Sequence, residues 1–204
     1  MPQRGSRGKQ KGSGRGRRSR EREGRFDLEF CRAEELYVGA LAGRLIYVKL
    51  DSKPNVINDV RLFIEAYCRA RYGALMVESV GLSAQELLEN AVTHGLSSSS
   101  VELTFMEDSG SGALQVYVEN AAIPSRLERL ARRLSEIQGM GAQQAYQSAL
   151  RDTMKVRRDT AMLGLARLAH EAKVSLTMRT TGERVTVCAT TAPWRVTGHF
   201  RART

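Results

Sequence analysis

Glu86-Leu87-Leu88-Glu89-Asn90-Ala91-Val92-Thr93-His94-Gly95 is the most informative segment of this 204-residue chain. Apolar residues Met76, Val80, Leu87, Leu88, Ala91 and Val92 recur through and upstream of it at helical spacing. The pattern predicts one long helix from about Ala74 to His94, with Gly95 as its stop. On that helix Glu86 and Asn90 are four residues apart and share a face, with His94 one turn further along the stripe. A carboxylate beside a carboxamide at the edge of a buried apolar face has two readings. Asn supplies a hard, neutral oxygen suited to Mg²⁺ and phosphate, and Glu can act as a base towards water or a hydroxyl. Alternatively, Ser83-Ala84-Gln85-Glu86 is a capping box in which Glu86 only closes a helix start. Polar pairs at this spacing line most solvated helices, but the periodicity upstream argues that Ser83 is interior.

Towards the N-terminus, Asn55–Tyr72 carries Val56, Val60, Phe63, Ile64 and Tyr67 at helical spacing, after a break at Asp51–Pro54. Arg44–Leu50 is the strand candidate before it. Towards the C-terminus, Val101–Glu107 and Leu114–Glu119 alternate as a hairpin around Ser109–Gly112. Ser125–Gln138 is predicted helical with Leu127, Leu130, Leu134 and Ile137 on one side, then Gly139-Met140-Gly141 as a hinge. Helical stretches Ala142–Arg151 and Thr160–Ala172 follow, the second with Met162, Leu165 and Ala169 inward. A closing hairpin comprises Val174–Arg179, a turn at Thr181-Gly182, and Arg184–Ala189. This order predicts an α+β fold, helices packed on one face of a mixed or antiparallel sheet.

The net charge is +10, but ten Lys/Arg against Glu21 and Glu23 give residues 1–25 a charge of +8, leaving +2 for the rest. This Arg/Gly-rich segment has too little apolar surface to offset chain entropy and is expected to be a disordered tail. It lacks the apolar stretch of a signal peptide. It could contact nucleic acid weakly and non-specifically through phosphate charge, or serve only as a solubilising leader. Residues 26–193 are read as the folded domain and 194–204 as a loose basic end. No window reads as a membrane span. Cys31, Cys68 and Cys188 lack metal-site spacing and fit reduced thiols, so the expected compartment is the cytoplasm.

The segment Glu86–Gly95 resembles the N-box of the GHKL superfamily, the ATP-binding (Bergerat-type) fold of sensor histidine kinases, anti-sigma-factor serine kinases and type II topoisomerases. ELLENAVTHG is most similar to the anti-sigma-factor kinase version, and the later order of hairpin, lid region, Gly-Leu helix and hairpin agrees across about residues 55–190. The resemblance implies ATP and Mg²⁺ as cofactors, with Asn90 holding the metal, Glu86 the general base and His94 near the phosphates. It implies a bacterial signalling regulator with a protein partner, of the partner-switching type.

Two later motifs depart from the pattern. Where the family has Asp-x-Gly-x-Gly, whose Asp reads the adenine amino group, this chain has Asn120-Ala121-Ala122-Ile123-Pro124. Asn120 can still accept a hydrogen bond, but both glycines are gone, and restoring Asp is expected to sharpen adenine discrimination. The resemblance implies that Glu86 and Asn90 point into a cleft facing Asn120. Where the family has a Gly-rich phosphate turn, Thr160-Ala161-Met162-Leu163-Gly164-Leu165 keeps only Gly164 and Leu165. Ala161 and Met162 would crowd phosphates there, and Lys155, Arg157 and Arg158 either supply charge instead or form a solvated face. Two functions follow: an anti-sigma-type Ser/Thr kinase or ATPase switch, or a non-catalytic interaction module that kept the fold. His170 is read as an interhelical hydrogen-bonder rather than a catalyst.

Overall fold

The computed structural model describes residues 27–29, 46–51, 54–155 and 160–193. The basic segment 1–25, the C-terminal segment 194–204 and the basic cluster at Arg157 and Arg158 lie outside them. Among the described residues six strands form one antiparallel sheet: β1 (Asp27–Glu29), β2 (Ile46–Asp51), β3 (Ser100–Glu107), β4 (Leu114–Ala121), β5 (Ser175–Thr181) and β6 (Arg184–Thr190). Their order is β1-β2-β3-β4-β6-β5, every neighbouring pair antiparallel. The helices are α1 (Ile57–Arg69), α2 (Ala74–His94), α3 (Pro124–Met140), α4 (Ala142–Lys155) and α5 (Thr160–Arg167). Among the described residues no helix is long and apolar enough to cross a membrane.

Period-2 alternation decides which face of the sheet is covered. Ile46, Val48 and Leu50 of β2, Val101, Leu103 and Phe105 of β3, and Leu114, Val116 and Val118 of β4 are all buried. Fully burying one such side chain is worth about 1.5–3 kcal/mol, so the alternation fixes the register. The intervening positions of the opposite face carry polar groups, with Lys49 paired to Glu102 at 3.4 Å and Arg184 bridging Glu119 and Glu102. The architecture is therefore α+β, with helices on one face of an antiparallel sheet.

α2 is central. It packs on α1 along one side, on β3 and β4 below, and on α5 with the following turn on its other flank. This three-sided enclosure is why its buried residues run from Val77 and Val80 through Ala84, Leu87 and Leu88 to Ala91. Ser83 lies inside the helix, where its Oγ donates to the Ser79 carbonyl at 2.7 Å, so the capping-box alternative is overturned. α1 contributes Ile57, Val60, Ile64 and Cys68, spaced to keep one stripe inward.

Some expectations need correction. Gly139 and Met140 continue α3, and only Gly141, with φ +81, breaks the chain before α4. The stretch predicted as one helix to Ala172 ends in a π-helical turn, Leu168–Ala172, closed by Lys173 in the left-handed region. β1, too short to show a period, was not predicted. Cys68 and Cys188 are buried and unbridged, and burial pushes the Cys68 thiol up to about 12.

Candidate functional site

The C-terminal half of α2, the end of β4, α3, α5 and β6 enclose one cleft. Its floor is apolar, made by Leu87, Ala91, Val118, Leu165, Val185 and Val187. Asn90, His94 and Asn120 supply polar groups, while Arg126, Arg129 and Arg133 line it from α3. Among the described residues no carboxylate lines it.

Asn120 is only 6% exposed at the end of β4. Its Nδ2 donates to the carbonyls of Ala91 (3.4 Å) and Ala121 (3.2 Å). That pairing assigns the amide orientation and leaves Oδ1 as the acceptor the residue can present to the cleft. Gly95 makes this approach practicable. A Cβ there would stand 2.4 Å from the Ala91 carbonyl oxygen and 2.8 Å from Asn120 Nδ2. The glycine that closes the N-box-like segment is thus a packing requirement of Asn120.

Asn90 Nδ2 is buried and has no hydrogen-bond partner among the described residues. An unmet buried donor costs about 1–3 kcal/mol, which a ligand acceptor can recover. His94 lines the same cleft, and the backbone carbonyls of His94 and Gly95 accept from Arg126 Nη1 at 2.8 and 3.1 Å. Arg126 therefore caps the negative end of α2. Arg133, 4% exposed, donates to Glu136 at 3.0 Å. Arg129 is exposed and has no ion-pair or hydrogen-bond partner among the described residues.

Glu86 does not join this group. It is 8% exposed, but the cleft lining excludes it. It lies under α5, where Arg167 Nη1 donates to its Oε1 at 3.1 Å and Arg167 Nε donates to Glu171 at 2.7 Å. Desolvation, reinforced by Glu89, raises its pKa above the ordinary carboxylate value, and Arg167 only partly offsets this. Gly164 sits within α5 against the same carboxylate, and a Cβ there would meet Glu86 Oε2 at 2.3 Å. The expectation that Glu86 and Asn90 share a cleft facing Asn120 therefore holds for Asn90 alone. Of the surviving Gly-Leu pair, Leu165 lines the cleft and Gly164 lets α5 close over Glu86. His170 stacks on Tyr146 of α4, centroids 5.0 Å apart, an interhelical contact made by ring faces rather than a hydrogen bond.

Sequence reasoning missed Arg126, Arg129, Arg133 and Arg167. The spacing of the first three, i, i+3 and i+7, was a readable stripe, but it flanks the Leu127/Leu130/Leu134 face and reads as solvated surface. Arg167 gave no signal, because its partner is 81 residues away.

The floor and the Asn120 acceptor fit a flat base that bears an exocyclic amino group, and the arginines fit its phosphates. The fit to a protein-held Mg²⁺ is poor. That ion is usually bound through one or two carboxylates together with phosphate oxygens. Among the described residues the lining offers the amide oxygens of Asn90 and Asn120 and the imidazole of His94 beside three arginines, with no carboxylate, and no group of three His, Cys, Asp or Glu that could hold a metal occurs there.

No protein-family model matches the chain, and no curated protein does. Among solved structures it is similar to a chain of the SiaB-SiaC complex from Pseudomonas aeruginosa, with TM-score 0.54 and 12% identity. The match covers 71% of this chain and 87% of that one. At this identity the likeness shows a shared fold.

Proposed function

We propose that this chain is a signalling regulator of the partner-switching type whose cleft binds a nucleotide, best matched by ATP. The observation that carries the reading is the buried Asn120, its amide nitrogen committed to two carbonyls and its oxygen left as an acceptor above an apolar floor. Adenine offers the complementary donor through its amino group. Support comes also from the resemblance of Glu86–Gly95 to the N-box, and from a structural neighbour crystallised as a complex of two proteins.

In this reading Leu87, Ala91, Val118 and Leu165 hold the base by excluding water. Asn120 orients it, and Asn90 meets an acceptor on the sugar-phosphate side. ATP supplies a transferable phosphoryl group when bound. Titration of the purified chain with a fluorescent ATP analogue tests the reading, with competition by unlabelled ATP and by inosine triphosphate, which lacks the amino group. Competition by ATP alone supports it, and absence of binding at millimolar nucleotide removes it.

One observation favours a second reading, an interaction module without turnover. Glu86, the residue in the base position, is sealed under α5 and paired with Arg167. A chain that binds ATP but neither hydrolyses it nor phosphorylates a partner would match that arrangement.

A further inference from the structure

The charge of the cleft runs against the metal chemistry that the N-box resemblance implies. Three arginines of α3 line the cleft, and among the described residues no carboxylate does. Arg126 is engaged by the end of α2, and Arg133 by Glu136. Arg129 lies between them on the same stripe, exposed and without a partner among the described residues. Asn90 of α2 lines the same cleft with a neutral amide whose buried Nδ2 is unmet among the described residues. Guanidinium is a fork-shaped donor that pairs two phosphate oxygens at once and keeps its charge at any working pH. Among the described residues, a divalent cation placed here would meet two amide oxygens and the His94 imidazole beside three like charges, with no carboxylate to offset them.

We infer that the cleft holds the phosphates of its nucleotide through Arg129, with Arg126 and Arg133 adding to the positive field, so that binding does not require a divalent cation. Resting on the nucleotide reading above, this goes beyond it by assigning the phosphate-binding residue and by removing the metal from the affinity. It also gives the lost glycines a physical context. The backbone amides that would cradle phosphates at a Gly-rich turn are replaced by side-chain donors from another helix.

The experiment is isothermal titration of the full chain with ATP, once in excess Mg²⁺ and once in excess EDTA. Arg129→Gln and Arg129→Lys are titrated beside the wild type. Affinity in EDTA is expected to stay within about tenfold of that in Mg²⁺. Arg129→Gln is expected to lose about tenfold or more in EDTA, the size of one charge-assisted hydrogen-bonded contact, and Arg129→Lys to recover part of it. The loss should shrink as salt rises, because exposed charges are screened. Residues 1–25 are common to all three proteins, so any binding by the basic segment cancels in the comparison. Arg129 is exposed, so a thermal melt should show both variants folded. Binding in Mg²⁺ but not EDTA overturns the inference and leaves the nucleotide reading standing. Unchanged affinity in Arg129→Gln also overturns it. Binding in neither solution removes the nucleotide reading, and the inference with it.

Discussion

Two successive turns of α2 meet opposite fates. Glu86 is covered by α5 and tied to Arg167, whereas Asn90, one turn later, faces a cleft with His94 and Asn120. Helical geometry puts the two side chains on one face, and nothing in their spacing separates them. What marks Glu86 out is its closer contact with α5. Because Gly164 has no Cβ, the α5 backbone lies against the Glu86 carboxylate, which Arg167 also engages, while Asn90 Nδ2 stands in ordinary contact, 3.7 Å from where that Cβ would be. Adjacency on a helix thus does not imply membership of one site.

The largest expected effects break the close approaches on which this contrast depends. Gly95→Ala sets a Cβ 2.4 Å from a backbone carbonyl that already accepts the Gly95 N–H, so it cannot swing away. Gly164→Ala meets Glu86, whose side chain can yield somewhat, so its penalty should be the smaller of the two. Overpacking of this kind typically costs about 1–3 kcal/mol. Denaturant melts should find both variants destabilised, Gly95→Ala more. Wild-type stability in either would mean that the approach is looser than described.

Asn120→Asp comes next and concerns the cleft. The sequence suggests that Asp would restore the family's adenine acceptor, but the structure argues for the opposite outcome. Asp would set carboxylate oxygen against the carbonyls of Ala91 and Ala121, which now receive the amide. A loss of about 1–3 kcal/mol in stability is expected, with no gain in ATP affinity. A stable variant that binds ATP more tightly would show that the family's Asp geometry survives here.

Asn90→Ala and Glu86→Ala divide the two turns functionally. Asn90→Ala should weaken ATP binding, because it removes a polar group that lines the cleft. Glu86→Ala should leave the affinity within a few-fold while lowering the melting temperature, since it strands Arg167 and opens a void. Equal losses of affinity would rejoin the turns into one site.

The smallest effect is a pH dependence at Glu86. Its folded pKa is raised, chiefly by desolvation, above the ordinary 4.5. A raised carboxyl favours the folded state below 4.5, and that contribution is lost as pH rises through the folded value. Relative to Glu86→Gln, which keeps the shape without the charge, the wild type should therefore lose stability as pH climbs from 4.5 towards neutrality. A difference independent of pH would mean that Arg167 compensates the burial fully.

By itself the sequence determined the helices and strands whose apolar periods are long, together with the fold class. α2 runs over the predicted Ala74–His94, and β3, β4, β5 and β6 fall within two residues of their expected ends, because alternation and turn chemistry are local. Asn90, His94, Asn120 and Leu165, singled out through motif spacing and resemblance, all line the cleft. Only the tertiary structure decided that they line one cleft and that Glu86 does not. It alone brought Arg167 to Glu86, turned the Asn120 amide, and aimed an α3 stripe at the cleft. Those outcomes depend on distances between helices, set by which residues lack a Cβ and which polar atoms find partners dozens of positions away. No periodicity along the chain encodes such distances.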